Sequence, residues 1–288
     1  SAAFPIGNAY LIFGNATPPT QIIASEIPSQ NPPNVKVKNL RSSEPGNRFA
    51  YNVSGAGDVN GDGCSDLVVS TNNSVYIITD LAHVPDFFWV GDPITKYAIK
   101  ISNTQHPRVD GSGDIDGDGL SDVVLGGWLN QPVRVFLGST LKQITLPQTQ
   151  PLNATASNIT IMPESLSSGF GMDVSAEGDV NADGINDIVI GAPFYAGLGV
   201  ERGRSYVFYG SPNLPTLLNG GSANVFIDSD TDFDNLGMNI STSGDYDGFI
   251  NLLNQKKTKD ILIGAGSFVT STGKVYMFHG LPNIPLFL

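Results

Sequence analysis

The sequence predicts an all-β protein assembled from repeated four-stranded units, and three observations carry that expectation. The 33 glycines and 19 prolines among 288 residues, set in β-branched and aromatic surroundings, favour short strands joined by tight turns over long helices. An acidic segment, Gly57-Asp-Val-Asn-Gly-Asp-Gly-Cys-Ser-Asp-Leu-Val-Val-Ser70, recurs as Gly113-Asp-Ile-Asp-Gly-Asp-Gly-Leu-Ser-Asp-Val-Val-Leu-Gly126 and Gly178-Asp-Val-Asn-Ala-Asp-Gly-Ile-Asn-Asp-Ile-Val-Ile-Gly191. A distorted copy begins at Gly244-Asp-Tyr-Asp-Gly248 and resumes at Asp260-Ile-Leu-Ile-Gly264. Its leading aspartates, Asp58, Asp114, Asp179 and Asp245, lie 56, 65 and 66 residues apart. Thirdly, a second strand pattern recurs behind each loop: Ser74 to Thr79, Val133 to Gly138, Ser205 to Gly210 and Lys274 to Gly280, with an orphan copy at Ala9 to Gly14.

Each unit can be read in order. A short inner run, such as Phe49 to Ser54 or Phe170 to Ser175, leads into the acidic loop. The apolar run after the loop is the second strand and the recurring pattern is the third. An extended segment such as Tyr97 to Ile101, Asn158 to Met162 or Asn224 to Asp228 is the fourth. Four alternating strands in a repeat of this length are what a β-propeller blade requires. The expected division is one domain, or a fragment of one, over residues 1–288, with a partial blade at 1–47 and blades at about 48–105, 106–167, 168–234 and 235–288. That is about five blades' worth of sequence. Residues 9–40 read as the last two strands of a blade, and closure by joining the chain ends stands as the alternative to a longer propeller.

The acidic loops suit a hard cation. Positions one, three, five and nine carry Asp58, Asn60, Asp62 and Asp66 in the first loop, Asp114, Asp116, Asp118 and Asp122 in the second, and Asp179, Asn181, Asp183 and Asp187 in the third. Oxygen donors at alternate positions, with the carbonyl at position seven (Cys64, Leu120 or Ile185), match a Ca²⁺ site. An EF-hand needs an acid at position twelve and a helix after it, whereas Val69, Leu125 and Ile190 stand there; the alternative is an Asx turn without metal. The fourth loop, with Asp245, Asp247 and Asp260, is longer and lacks the position-five acid. Asn251 or Asn254 could substitute, while Lys256, Lys257 and Lys259 offer an internal cation instead. Three Ca²⁺ sites are therefore expected, the fourth standing apart as the most mobile loop.

Phe170-Gly171, the Asp/Asn loop and Ile190-Gly-Ala-Pro193 resemble the FG-GAP repeat of integrin alpha-subunit propellers and of many bacterial and protist surface proteins. Residues 48–280 carry the resemblance. Arg48-Phe49 and Val69-Ser70-Thr71 replace the signature pairs in the first unit, and His106-Pro107-Arg108 stands in place of Phe-Gly in the second. The resemblance implies a seven-bladed propeller with further blades or domains in a longer protein. It also implies ligand binding on the rim opposite the Ca²⁺ loops, where Trp128, Phe194, Tyr195, Arg202 and Phe268 are the candidate contacts.

A formal charge of −12 argues against nucleic acid and anionic membranes as partners. Ten of the 27 acids lie in the three regular loops, so the charge describes metal sites more than a surface. Cys64, the single cysteine, permits no internal disulfide, and no apolar run of about 20 residues forms a transmembrane span. Six Asn-x-Ser/Thr sequons, at Asn15, Asn52, Asn72, Asn153, Asn158 and Asn239, are scarcely more than composition gives by chance. No catalytic constellation is visible: His83, His106 and His279 lack metal-ligand spacing, and His279 reads as an ordinary blade residue. The leading expectation is a Ca²⁺-dependent adhesion module for a protein or glycan, secreted or at a cell surface. The alternatives are a carbohydrate-binding or polysaccharide-processing propeller and a structural scaffold, including a translocated bacterial effector that mimics an integrin head.

Overall fold

The computed structural model describes residues 7–13, 37–42, 47–81, 83–84, 87–90, 97–128, 131–197, 199–248, 250–251, 256–267 and 272–280. The chain is all-β, with successive antiparallel sheets built as propeller blades. Blade I comprises Val53–Gly57, Asp66–Ser70, Ser74–Ile78 and Ala98–Ser102. Blade II comprises Val109–Gly113, Asp122–Leu125, Val133–Phe136 and Ile159–Met162. Blade III comprises Val174–Ser175, Ile188–Ala192, Arg204–Phe208 and Val225–Asp228. Blade IV contributes Leu236–Ser241, Ile261–Gly266 and Gly273–Phe278 among the described residues, and its third strand exposes Val275 and Met277. Ahead of blade I, Asn8–Ile12 pairs antiparallel with Val37–Ser42.

The middle strands read as continuous apolar runs because both of their faces are buried. In blade I, Val68, Val75 and Ile77 point into the core shared with blade II, and Val69, Tyr76 and Ile78 into the core on the other side. Blade III divides likewise, with Ile188, Ile190 and Tyr206 facing blade II and Val189 and Val207 facing blade IV.

Two features lie outside the expected four strands. A short segment between the third and fourth strands of a blade reaches back to pair parallel with the outer strand of the preceding sheet. Leu152–Asn153 joins Ala98–Ser102, Leu217–Asn219 joins Ile159–Met162, and Phe87–Val90 joins Val37–Ser42 in the same way. A one-turn helix, Gly138–Leu141, follows the third strand of blade II, and single 3-10 turns follow two of the parallel segments.

The glycine signature has a packing cause. Gly171 adopts φ +82° and Gly237 φ +98°; Ala50 and His106, at the corresponding places in blades I and II, hold φ +61° and +45°. The left-handed turn therefore persists where the glycine is lost, at the cost that a side chain incurs there. Its carbonyl lies against the preceding blade: a β-carbon on Gly191 would collide with Gly237 O, and one on Gly126 with Gly171 O.

Candidate metal centres

The acidic loops line one rim, each joining the first and second strands of its blade, and they are bonded in series. Ser121 N–H donates to Asp58 O at 3.0 Å, Asn186 N–H to Asp114 O at 2.9 Å, and Lys259 N–H to Asp179 O at 2.9 Å. Val59, Ile115 and Val180, at position two, are fully buried beneath this row.

Within a regular loop the first aspartate organises the backbone. Asp58 Oδ1 accepts from Gly61 and Asp62 N–H and its Oδ2 from Gly63 N–H. Asp114 does the same with Gly117, Asp118 and Gly119, and Asp179 accepts from Asp183 and Gly184. Asn60, Asp116 and Asn181 each accept from the amide two residues on, as do Asp62, Asp118 and Asp183. The loop curls because Gly61, Gly63, Gly117, Gly119 and Gly184 all take positive φ. Cys64 is exposed with a free thiol.

The aspartate at position nine does a different job. Asp122 is buried, taking Ile115 N–H at 2.7 Å on Oδ2 and Gly138 N–H at 2.8 Å on Oδ1. Asp187 clamps Val180 and Gly210 identically, and Asp260 clamps Tyr246 and Gly280. Each thus ties the loop to the end of the third strand. In blade I, Asp80 stands where the others have that glycine, and Asp66 Oδ1 is buried with no hydrogen-bond partner although Oδ2 accepts from Val59 N–H.

These loops fit a cation. Carboxylate oxygens of Asp114, Asp116 and Asp122 lie within 4.8 Å of one another. Burial, with neighbouring acids adding to it, pushes Asp66 and Asp122 up to about 7 and Asp187 up to about 8. Among the described residues the groups that shift these carboxylates are other acids and backbone N–H, and a divalent ion would supply positive charge to them. The donors are all oxygen, the unpartnered Asp66 Oδ1 included, as Ca²⁺ requires.

The fourth loop is built otherwise. An inserted hairpin pairs Ile250–Asn251 with Lys256–Lys257. Asp245 accepts from Gly248 N–H, and Lys257 Nζ lies 3.5 Å from its Oδ2. On the other side His279 Nδ1 sits 3.1 Å from Asp247 Oδ2 and 3.5 Å from Asp260 Oδ1. The reading of His279 as an ordinary blade residue is corrected by this placement. Asn254 lies outside the described residues.

On the opposite rim the candidate contacts separate. Tyr195 and Arg202 line one hollow of about 110 Å³ with Asp228 and Ser229, and half-buried Phe194 flanks it in sequence. Trp128, 39% exposed, belongs to a loop of blade II, and Phe268 lies outside the described residues. Arg202 is not a bare cation, since its Nε donates to Asp232 Oδ1 at 2.6 Å. Sequence reading missed Arg204, which grips Asp228 through two nitrogens, bonds Glu164 at 3.0 Å, and lies 4.1 Å from the Tyr195 ring centroid.

Sheets of this construction with acidic hairpin loops are the arrangement expected of FG-GAP repeats, and known proteins resemble the chain in those repeats. The FG-GAP repeat family matches residues 49–78 and 170–208. Integrin alpha pat-2 of Caenorhabditis elegans is 29% identical over 191 residues, 56% of this chain and 14% of that protein. Integrin alpha-6 of Gallus gallus is 32% identical over 126 residues, 42% of this chain and 10% of that protein. Integrin alpha-PS5 of Drosophila melanogaster is 37% identical over 106 residues, 34% of this chain and 9% of that protein. The chain thus carries FG-GAP repeats and is similar over part of its length to integrin alpha subunits, matching about a tenth of the length of these relatives.

Proposed function

We propose that this chain is a calcium-stabilised recognition module, secreted or displayed at a cell surface, that binds a protein or glycan through the rim opposite the acidic loops. Residues 1–288 are read as one propeller unit of a longer protein, acting by binding and not by catalysis. Ca²⁺ would be held by Asp58, Asn60, Asp62 and Asp66, by Asp114, Asp116, Asp118 and Asp122, and by Asp179, Asn181, Asp183 and Asp187. The position-seven carbonyls of Cys64, Leu120 and Ile185 would add to each set. The ion would supply positive charge to buried carboxylates and so fasten the first and second strands of each blade. The observation that carries this reading is the division of labour between rims: one holds a hydrogen-bonded row of acidic loops, the other a hollow whose polar lining combines Arg202, Asp228 and the Tyr195 ring.

An aromatic ring beside both charge signs suits a sugar, so the glycan form of the reading has its own support. Glycan and protein arrays probed with and without EDTA test the proposal. Binding that needs Ca²⁺ and weakens in Arg202→Ala and Tyr195→Ala supports it. Ligands retained by both variants would move the binding site elsewhere, and no ligand on either array would favour a scaffold.

A further inference from the structure

We propose that the fourth loop is a site for a nitrogen-preferring divalent metal of the Zn²⁺ class, held by Asp247, Asp260 and His279. The three residues offer one ligand atom each, all within 4.8 Å of one another. For metal bonds of about 2.0–2.1 Å, neighbouring ligands of a tetrahedron stand roughly 3.3–3.4 Å apart. The separations of 3.1 and 3.5 Å from His279 Nδ1 to the two carboxylates bracket that edge.

The donor set distinguishes this site from its neighbours. Ca²⁺ takes oxygen ligands, whereas imidazole suits Zn²⁺ and related transition metals. His279 follows Phe278, which pairs with Ile261 exactly as far along the sheet as Phe136 pairs with Val123 and Phe208 with Ile188. The corresponding residues in blades II and III are Leu137 and Tyr209, which bring no nitrogen ligand to their loops. Asp260 is fixed by Tyr246 and Gly280 N–H, the kind of outer support that orients a metal ligand. Asp245 meanwhile faces Lys257, so the Ca²⁺-type half of the loop already has a cation nearby. Asp247 and His279 are partly exposed, at 30% and 45%, which leaves a path for the ion and room for a water as the remaining ligand.

The test is Zn²⁺ titration of the full chain by calorimetry in millimolar Ca²⁺, with the bound metals counted by mass spectrometry and Co²⁺ used as a visible-absorption probe. We expect one Zn²⁺ per chain that excess Ca²⁺ does not displace, and a Co²⁺ spectrum of four-coordinate intensity. His279→Leu should weaken Zn²⁺ binding by more than about 100-fold, beyond the 10–100-fold typical of losing an outer-shell partner, and leave the Ca²⁺ count unchanged. Asp247→Asn provides the same reading should the leucine variant not fold. His83→Ala, at an exposed histidine with one carboxylate beside it, should leave binding intact. Zn²⁺ displaced by Ca²⁺, or equal binding by His279→Leu and Asp247→Asn, would overturn the proposal and leave a histidine–aspartate ion pair only.

Discussion

The third and fourth acidic loops share their frame and differ in what the frame holds. Asp187 and Asp260 both clamp a position-two amide and the glycine that ends the third strand, and Lys259 N–H bonds Asp179 O to join the two loops. Between the anchors, the third loop sets Asp179, Asn181 and Asp183 on a tight curl. The fourth interposes a hairpin, lays Lys257 beside Asp245 and draws His279 to the carboxylates. The difference teaches that the position-nine aspartate is first a structural clamp. The groups set around it differ between the two loops while the clamp does not, so the donor set can change without the blade changing.

Breaking the clamp should have the largest effect, and a similar one in both loops. Asp187→Ala and Asp260→Ala each strand two buried N–H groups at about 1–3 kcal/mol apiece, so each should lose about 2–6 kcal/mol in urea unfolding. A harmless Asp260→Ala would show that the frames are not shared. Next in size, Gly210→Ala and Gly280→Ala push a β-carbon into Asn186 O and Lys259 O, with a loss of about 1–3 kcal/mol each. An equal loss in the two blades confirms the common frame.

The comparison sharpens with pH. Asp187 at about 8 and Asp66 and Asp122 at about 7 must shed protons to meet Ca²⁺, so affinity should rise from pH 6 to pH 8 with proton release in calorimetry. Without Ca²⁺ the sign reverses. Carboxylates raised above their ordinary value of 3.8 stabilise the fold fully below that pH and lose the contribution progressively until pH has passed 7 and 8, so Tm in EDTA should fall from about pH 4 and level off above about pH 8. A flat EDTA profile would mean that these acids are ionised at no cost.

The smallest effect lies outside the loops. Asp173, raised to about 6 chiefly by burial, accepts from Ile240 N–H. Asn52 does the same work for Val109 N–H two blade interfaces earlier without a charge. Asp173→Asn should therefore raise Tm by about one or two degrees above pH 6, because the amide keeps the acceptor and sheds the buried charge while giving up the attraction to Arg108, and bring no gain below pH 4.

Much of this was legible in the sequence because the repeats are local: Asp58 to Asp66 is one contiguous loop, and alternate donors imply their own convergence. The glycines of the third unit were equally plain, whereas Ala50 and His106 keep the same left-handed backbone under different side chains and so hid the turn. His279 was missed because no spacing ties residue 279 to residue 247; strand pairing does that. Its one sequence signal is alignment of the repeats, which sets it beside Leu137 and Tyr209 just before the glycine. The parallel segments at Leu152–Asn153 and Leu217–Asn219 are too short to show a period, and their partners lie in the preceding blade. On the opposite rim, residue type suggested Arg202 as an anchor, yet its ion pair with Asp232 and the tighter grip of Arg204 on Asp228 arise only where separate loops meet.

The central claim, that three regular loops each hold Ca²⁺ on a frame the fourth shares, is tested most directly by anomalous scattering from crystals grown in millimolar Ca²⁺. The account predicts one Ca²⁺ peak inside each of the loops Asp58 to Asp66, Asp114 to Asp122 and Asp179 to Asp187, and none of that character between Asp245 and Asp260. Empty regular loops at that concentration would contradict it.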